Sequence, residues 1–423
     1  MHALILVAIA NAANPVTASD LPADVVEMAR ATIVYARPNT DATKLGVIKK
    51  KTRALVLGTA ELENTDCTRW LEIAPRGWIC DESTTPTLEA PTIATPSNLA
   101  ALEDDGELAP IRATYGIVRR GTVAYSSRED VANGAGRALE GSNTVRARGS
   151  TMIDGTRYWI TTGGDLVDAK RVYSVAPSRF KGIALANGAP MPAWVRGKSD
   201  PYKPVATFDQ PGARKSGELP ARAQVTVLEA STDGRFVRVD EDVWVASKDV
   251  RISELAEPPA GMRTDEKWLD IDLDKQILVA YEGARPVYAT LVSTGKYGHI
   301  TPAVIARVIS KHEATPMTSN KDDVYSVADV PWTMFYDGNY ALHTSYWHDG
   351  FGGPRSHGCI NLAPRDARLL YAWSSPDVPA GWSTVYGSED QPGTLVHIRS
   401  TRQYAPKLRG YAKRMHEPRV AER

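Results

Sequence analysis

The stretch His343-Thr344-Ser345-Tyr346-Trp347-His348-Asp349-Gly350-Phe351-Gly352-Gly353-Pro354-Arg355-Ser356-His357-Gly358-Cys359-Ile360-Asn361 gathers three of the chain's eight histidines and one of its three cysteines. A thiol is a strong nucleophile only as thiolate, so a catalytic cysteine needs a base within hydrogen-bond reach. Two histidines qualify: His343 across the loop, and His357 two residues before Cys359. On an extended strand His357 and Cys359 would share a face. Gly358 between them lets a substrate carbonyl approach the backbone, whose N–H groups could receive an oxyanion.

Ser356-His357-Gly358-Cys359-Ile360-Asn361, with His343 upstream, resembles the signature of the L,D-transpeptidases, the YkuD-like cell-wall enzymes. That signature runs His, a loop, then Ser/Thr-His-Gly-Cys-apolar-Asn/Arg. Tyr346-Trp347-His348 and Phe351-Gly352 look like one branch of the family. The likeness extends from about Lys267 to Arg399, through Val330-Pro331-Trp332 and the helix start marked by Asp366, Ala367, Leu369 and Tyr371. It departs at Thr301-Pro302-Ala303-Val304, where the family carries Thr-Pro-x-Gly.

The resemblance implies a YkuD-like, β-rich catalytic domain with a few helices over residues 265–399. It also implies that Cys359 attacks the carbonyl of the third residue of a peptidoglycan stem tetrapeptide and expels D-alanine. The thioester then passes to an amine on a neighbouring stem, a 3→3 cross-link. His343 is the implied base, its imidazole oriented by the backbone carbonyl of Thr344. The backbones of His357, Gly358 and Cys359 are the implied oxyanion donors. Ser356 and Asn361 would brace the loop, with Tyr346 and Trp347 supporting it. Arg355 either receives a substrate carboxylate or is a solvated loop residue. The alternatives are a hydrolase using the same thioester and a non-catalytic wall-binding scaffold. No cofactor is implied. His343, His348, His357 and Cys359 would satisfy a zinc ligand count, but their spacing matches no metal pattern, so the reading is of no metal.

A chain of 423 residues exceeds one ordinary core and suggests two to four domains. With 43% hydrophobic and 24% charged residues it is ordinary globular material, mainly β by its strand patterns. Fifty basic and 50 acidic residues cancel, which argues against a nucleic-acid partner. Residues 1–24 hold an apolar run ending in Ala10-Asn11-Ala12, read as an export segment without its charged start, or as a buried run. Export places the chain in the periplasm or cell envelope, as a monomer acting on stem peptides. There Cys67 and Cys80 would pair and leave Cys359 free. Two separate buried thiols are the alternative, because sequence does not supply the Cα separation.

Strand patterns at 25–83 resemble a bacterial SH3-like domain, and Lys44-Leu45-Gly46-Val47-Ile48 followed by Arg69-Trp70-Leu71-Glu72-Ile73 sets its rhythm. A Thr/Pro-rich linker follows at 84–110. A divergent second module spans 111–190, and a third at 204–258 repeats the first. Trp70, Trp78, Trp159 and Trp244 read as packing residues rather than ligand stackers. Asp270, Asp272 and Asp274 read as solvent-facing strand acids, since they lack the glycine and bidentate glutamate of a calcium loop. A basic tail fills 400–423. The catalytic domain is expected to fold alone from near Pro258, with the modules tethering it to the wall or roofing its groove.

Overall fold

The computed structural model describes residues 25–62, 66–93, 111, 113–198, 200–259, 262–319 and 324–416. The export segment read at 1–24 and most of the linker lie outside them. Among the described residues no helix is long and apolar enough to cross a membrane. The fold is mainly β, as expected, and the chain divides into two compact units: residues 1–95 with 379–382, and 96–378 with 383–423.

In the first unit the strands alternate, as a half-buried pleat requires: Thr32 and Val34 point inward while Ile33 is exposed. Val25–Met28 pairs with Arg53–Glu61 on one side and Thr84–Thr87 on the other. Thr84–Thr87 is therefore a strand of the module and not the start of the linker. Arg53–Glu61 continues to Arg69–Ile73 and Trp78–Cys80, and Tyr35 opposite Trp78 brings in Thr32–Tyr35. Trp70 is fully buried, its indole N–H donating to the Cys67 carbonyl at 3.0 Å. Cys67 and Cys80 form a disulfide with Cα atoms 5.8 Å apart. Trp78, like Trp159 and Trp244 in the second unit, is half-buried.

The second unit opens with a small β module in which Thr114–Val118 pairs with Ser142–Ile153 and Val172–Ser174. Val118, Ala124 and Val167 form its core. The next module begins earlier than its repeat pattern indicates: Ala193–Val195 pairs with Gln224–Val225 and Val250–Ile252. Its core is a cluster of valines, among them Val195, Val205, Val237, Val245 and Val250.

The C-terminal domain stacks two layers. One sheet runs Ile183–Ala184, Arg285–Leu291, Ile277–Glu282, Lys267–Asp272, Leu395–Arg399, Val304–Arg307, Lys407–Leu408. The other layer carries a long hairpin, Ser310–Ser319 with Tyr325–Asp337, continued by Tyr340–Thr344 and then Ile360–Leu362 in parallel. The helix Pro364–Trp373 starts on a proline, whose missing N–H costs nothing at that position. It packs Ala367 and Leu370 into the core with Leu269, Ile271, Met334, Leu342, Ile360 and Leu362.

Three expectations change here. The tail at 400–423 is not merely basic: Lys407–Leu408 joins the sheet, and Gly410–His416 is a helix with Ala412 buried. Asp270 and Asp272 are not solvent-facing, being 1% and 6% exposed. Their strand is central and covered on both faces, so the charges survive by pairing. Arg399 Nε lies 3.1 and 3.0 Å from the two Asp270 oxygens, and its Nη1 reaches Asp272 at 3.0 Å.

The third concerns independence. Ile183–Ala184 is an edge strand of the seven-stranded C-terminal sheet, paired with Tyr288 and Ala289. Leu185 and Trp194 are buried against Trp268, Tyr281, Leu291 and Phe351. The Gly182 N–H donates to the buried Asp366 carboxylate at 2.8 Å, beside the Tyr288 hydroxyl at 2.7 Å. Losing a buried tryptophan alone costs roughly 3–5 kcal/mol, against a typical total stability of about 5–15 kcal/mol. A fragment starting near Pro258 is accordingly expected to aggregate, or to melt far below the whole chain and to lose activity on soluble stem peptides too. A cooperative melt and undiminished turnover by that fragment would restore the simple tether.

Candidate active site

The parallel pairing of Tyr340–Thr344 with Ile360–Leu362 sets Leu342 opposite Ile360 and His343 opposite Asn361. Extended back by one residue, this register sets Ala341 opposite Cys359. Side chains two apart on a strand share a face, so carrying the alternation of Ile360–Leu362 back to Cys359, in the bend just before it, puts the thiol on the face of His343. The local cause is alternation: Leu342, Ile360 and Leu362, all fully buried, turn the other face into the core.

His343 is 3% exposed, and its Nδ1 lies 2.9 Å from the Thr344 carbonyl. A carbonyl only accepts, so Nδ1 carries the proton and Nε2 is left with its lone pair. Burial pushes the His343 pKa down to about 4, the Thr344 carbonyl working weakly against it. Cys359 is the free cysteine of the chain and partly accessible. The protein packed around it pushes the thiol pKa up, offset in part by the Ala341 amide hydrogen-bonding to sulfur. The sulfur lies 3.6 Å from the Asn339 carbonyl. Both shifts favour the uncharged forms, so the resting pair is neutral thiol and neutral imidazole.

The loop before the thiol is laced to the strand end at 293–301. Ser356 N–H and Arg355 N–H both donate to the Thr294 carbonyl, and the Lys296 N–H donates to the Ser356 carbonyl. The Ser356 hydroxyl donates to the Cys359 carbonyl and accepts the Gly358 N–H at 3.0 Å. Ser356 thus closes the turn, and the Gly358 N–H is already spent on it. Gly358 is required at its position: φ is +114°, and a Cβ would fall 2.7 Å from the Tyr340 ring. Thr301 ties the turn down, accepting from Gly295 N–H at 2.9 Å and donating to the Gly358 carbonyl at 2.8 Å. The Thr-Pro segment therefore reaches the loop although the family's glycine is missing.

The other histidines go elsewhere. His357 is exposed, with Nε2 3.0 Å from Lys296 Nζ and its ring against His299 and Tyr325. The half-buried His348 accepts from Gly350 N–H at Nδ1, and its Nε2 lies 3.0 Å from the Asn361 amide. Asn361 also exchanges backbone hydrogen bonds with Ser293, which makes it a brace. Among the described residues no three metal-ligating side chains gather.

Tyr346 is fully buried beneath the first module of this unit. Its ring stacks on Tyr115 at 3.9 Å, and its hydroxyl meets Thr144 at 2.6 Å and donates to the Ala328 carbonyl at 2.8 Å. Trp347 packs edge-on against Tyr346 and lies 5.9 Å from the His343 ring. Asp349 is held by Ser178 and Arg222, and the Gly352 carbonyl by Arg251 at 3.1 Å. Arg355 is exposed, 5.6 Å from the Tyr202 ring. Sequence reasoning gave no hint of Tyr115, Thr144, Arg222 or Arg251, because their partners in this loop are over a hundred residues away. Thr301 stood out only as a departure from a pattern.

Residues 266–398 match the YkuD family, the L,D-transpeptidase catalytic domain. An L,D-transpeptidase from Stackebrandtia nassauensis is 26% identical over 32% of this chain and 57% of its own, with a TM-score of 0.24. One from Xylanimonas cellulosilytica is 25% identical over 34% of this chain and 65% of its own, at 0.24. The catalytic domain of the E. faecium enzyme is 24% identical over 33% of this chain and all of its own, at 0.26. The chain thus spans less than two thirds of the first two. No curated protein matches it.

Proposed function

We propose that the domain at 266–398 is a cysteine acyltransferase that forms 3→3 cross-links between peptidoglycan stem peptides. The observation that carries this reading is the His343 imidazole, its Nδ1 held by the Thr344 carbonyl, on the strand that pairs with the one directly following Cys359. His343 Nε2 takes the thiol proton as sulfur attacks the carbonyl of the third stem residue. The tetrahedral intermediate collapses, D-alanine leaves with the proton from His343, and a thioester remains on Cys359. An amine of a second stem attacks the thioester and gives its proton to His343. Collapse then makes the amide and returns the proton to sulfur. Backbone N–H groups near His357 and Cys359 would stabilise the oxyanion, each such donor being worth about 3 kcal/mol. Gly358 would shape that pocket rather than donate, because its N–H is taken by Ser356.

Such a substrate lies outside the cytoplasm, and the Cys67–Cys80 disulfide suits an oxidising compartment. The small β modules are in this reading SH3-like, one set covering the catalytic loop and the N-terminal one holding wall polymer. Incubating the chain with a stem tetrapeptide donor and a second, amine-bearing stem tests the reaction. The cross-linked dimer and one free D-alanine per link are expected. Tripeptide alone would mean that water is the acceptor, and unchanged tetrapeptide would mean that no acyl transfer occurs.

A further inference from the structure

We propose that Arg196 and Arg355 form a carboxylate-binding subsite beside the catalytic loop, which receives a free side-chain or α-carboxylate of the peptide substrate. The inference rests on the peptide-substrate reading above and adds to it a residue from outside the catalytic domain.

Arg196 follows the strand Ala193–Val195 of the preceding module and is 8% exposed. Its Nε has no hydrogen-bond partner among the described residues, and its Nη1 reaches only the Gly197 carbonyl, at 3.4 Å. Burial, then Arg251 and Arg355 nearby, push its pKa down to about 10, so it is still charged at neutral pH. The carboxylate that opposes this, Asp249, also accepts the Lys198 N–H at 2.7 Å. A desolvated guanidinium short of acceptors is unfavourable unless an anion completes it.

The neighbouring arginines divide by whether their donors are used. Arg222 is consumed by Asp349, and Arg251 by the carbonyls of Gly352, Lys248 and Val250. These two brace the loop. Arg355 pairs with no carboxylate among the described residues and stands exposed over Tyr202.

The glycines show where both guanidiniums lie. A Cβ on Gly350 would fall 2.2 Å from Arg355 Nε, and one on Gly353 would fall 2.1 Å from Arg196 Nη2. Both guanidiniums thus lie against the same short turn, and a guanidinium is a planar fork suited to two carboxylate oxygens. Cys359 is four residues beyond Arg355, within about 14 Å along the chain. A peptide whose carbonyl sits at the thiol can place a carboxylate there.

The test is calorimetric binding to the full-length Cys359→Ala chain of two matched stem tetrapeptides, one with free carboxylates and one with them amidated. Arg355→Gln and Arg196→Gln are each expected to weaken the free-carboxylate peptide about 10–100-fold. The amidated peptide should change less than about twofold, and Arg196→Lys, which keeps the charge, should recover part of the loss. Arg355 is on the surface, so its variant reads the subsite even where Arg196→Gln unfolds. Equal weakening of both peptides, or of neither, overturns the subsite. So does inorganic phosphate displacing the peptide from the intact arginines more weakly than from the Gln variants. If the wild-type chain turns over neither peptide while binding keeps its carboxylate preference, the acyltransferase reading fails and the subsite stands.

Discussion

Cys359→Ala is expected to abolish acyl transfer, a fall of at least about 10⁴-fold in kcat by analogy with the loss of a nucleophile elsewhere, while the melting temperature stays within a few degrees. The variant removes one sulfur from a partly accessible position, so little cavity forms. The turn itself does not depend on the thiol. It is held by Ser356, Thr301 and the backbone bonds to Thr294, none of which the substitution touches. Release of D-alanine at an undiminished rate would remove covalent catalysis at Cys359 from consideration, and a collapsed melt would show that the thiol packs more than it reacts.

His343→Ala is expected to lower kcat/KM by about 10²–10⁴-fold, the range for a general base. The pH profile carries the sharper signature. His343 must be neutral to accept a proton, and its pKa is pushed down to about 4 by burial. Activity should therefore fall on the acid side near pH 4, rather than near the ~6.5 of an ordinary histidine. In the variant this limb disappears. The residual rate then climbs with pH as the thiol ionises unaided, above its usual range because burial pushes the Cys359 pKa up. His357→Ala should lose much less and keep the acid limb, because its ring faces Lys296, His299 and Tyr325 at the surface. A limb that vanishes with His357 and survives without His343 would reverse the assignment.

What was legible follows from how local each feature is. The thiol, the turn-forming Gly358 and the two candidate bases lie within 17 residues of Cys359, and the strand patterns around them are short-range. The mainly β fold and the catalytic domain were readable for that reason. The choice between His343 and His357 was open from the residues alone and rested on the family resemblance, since the register that pairs residue 343 with 361 is not local. The burial of Asp270 was not legible: it alternates like a solvent-facing acid and is buried beside Arg399 and His397, over 120 residues away. The packing of Ile183–Ala184 and Trp194 against the catalytic domain was hidden for another reason. Two-residue strands carry no periodicity, and Trp194 sits between the two modules that the strand patterns delimit. Arg196 against Gly353 escaped, unlike Arg355, because glycine-rich turns suggest freedom, whereas Gly353 is small where a side chain from another module lies against it.

The central claim is that Cys359 carries the acyl group, and intact-mass measurement of the chain mixed with stem tetrapeptide, without an amine acceptor, reads it most directly. The account predicts one tripeptidyl adduct per chain, mapped to Cys359 after digestion, sensitive to hydroxylamine as a thioester is, and matched by one released D-alanine. An adduct on any other residue, or D-alanine released with no adduct in either the wild-type or the His343→Ala chain, would contradict it.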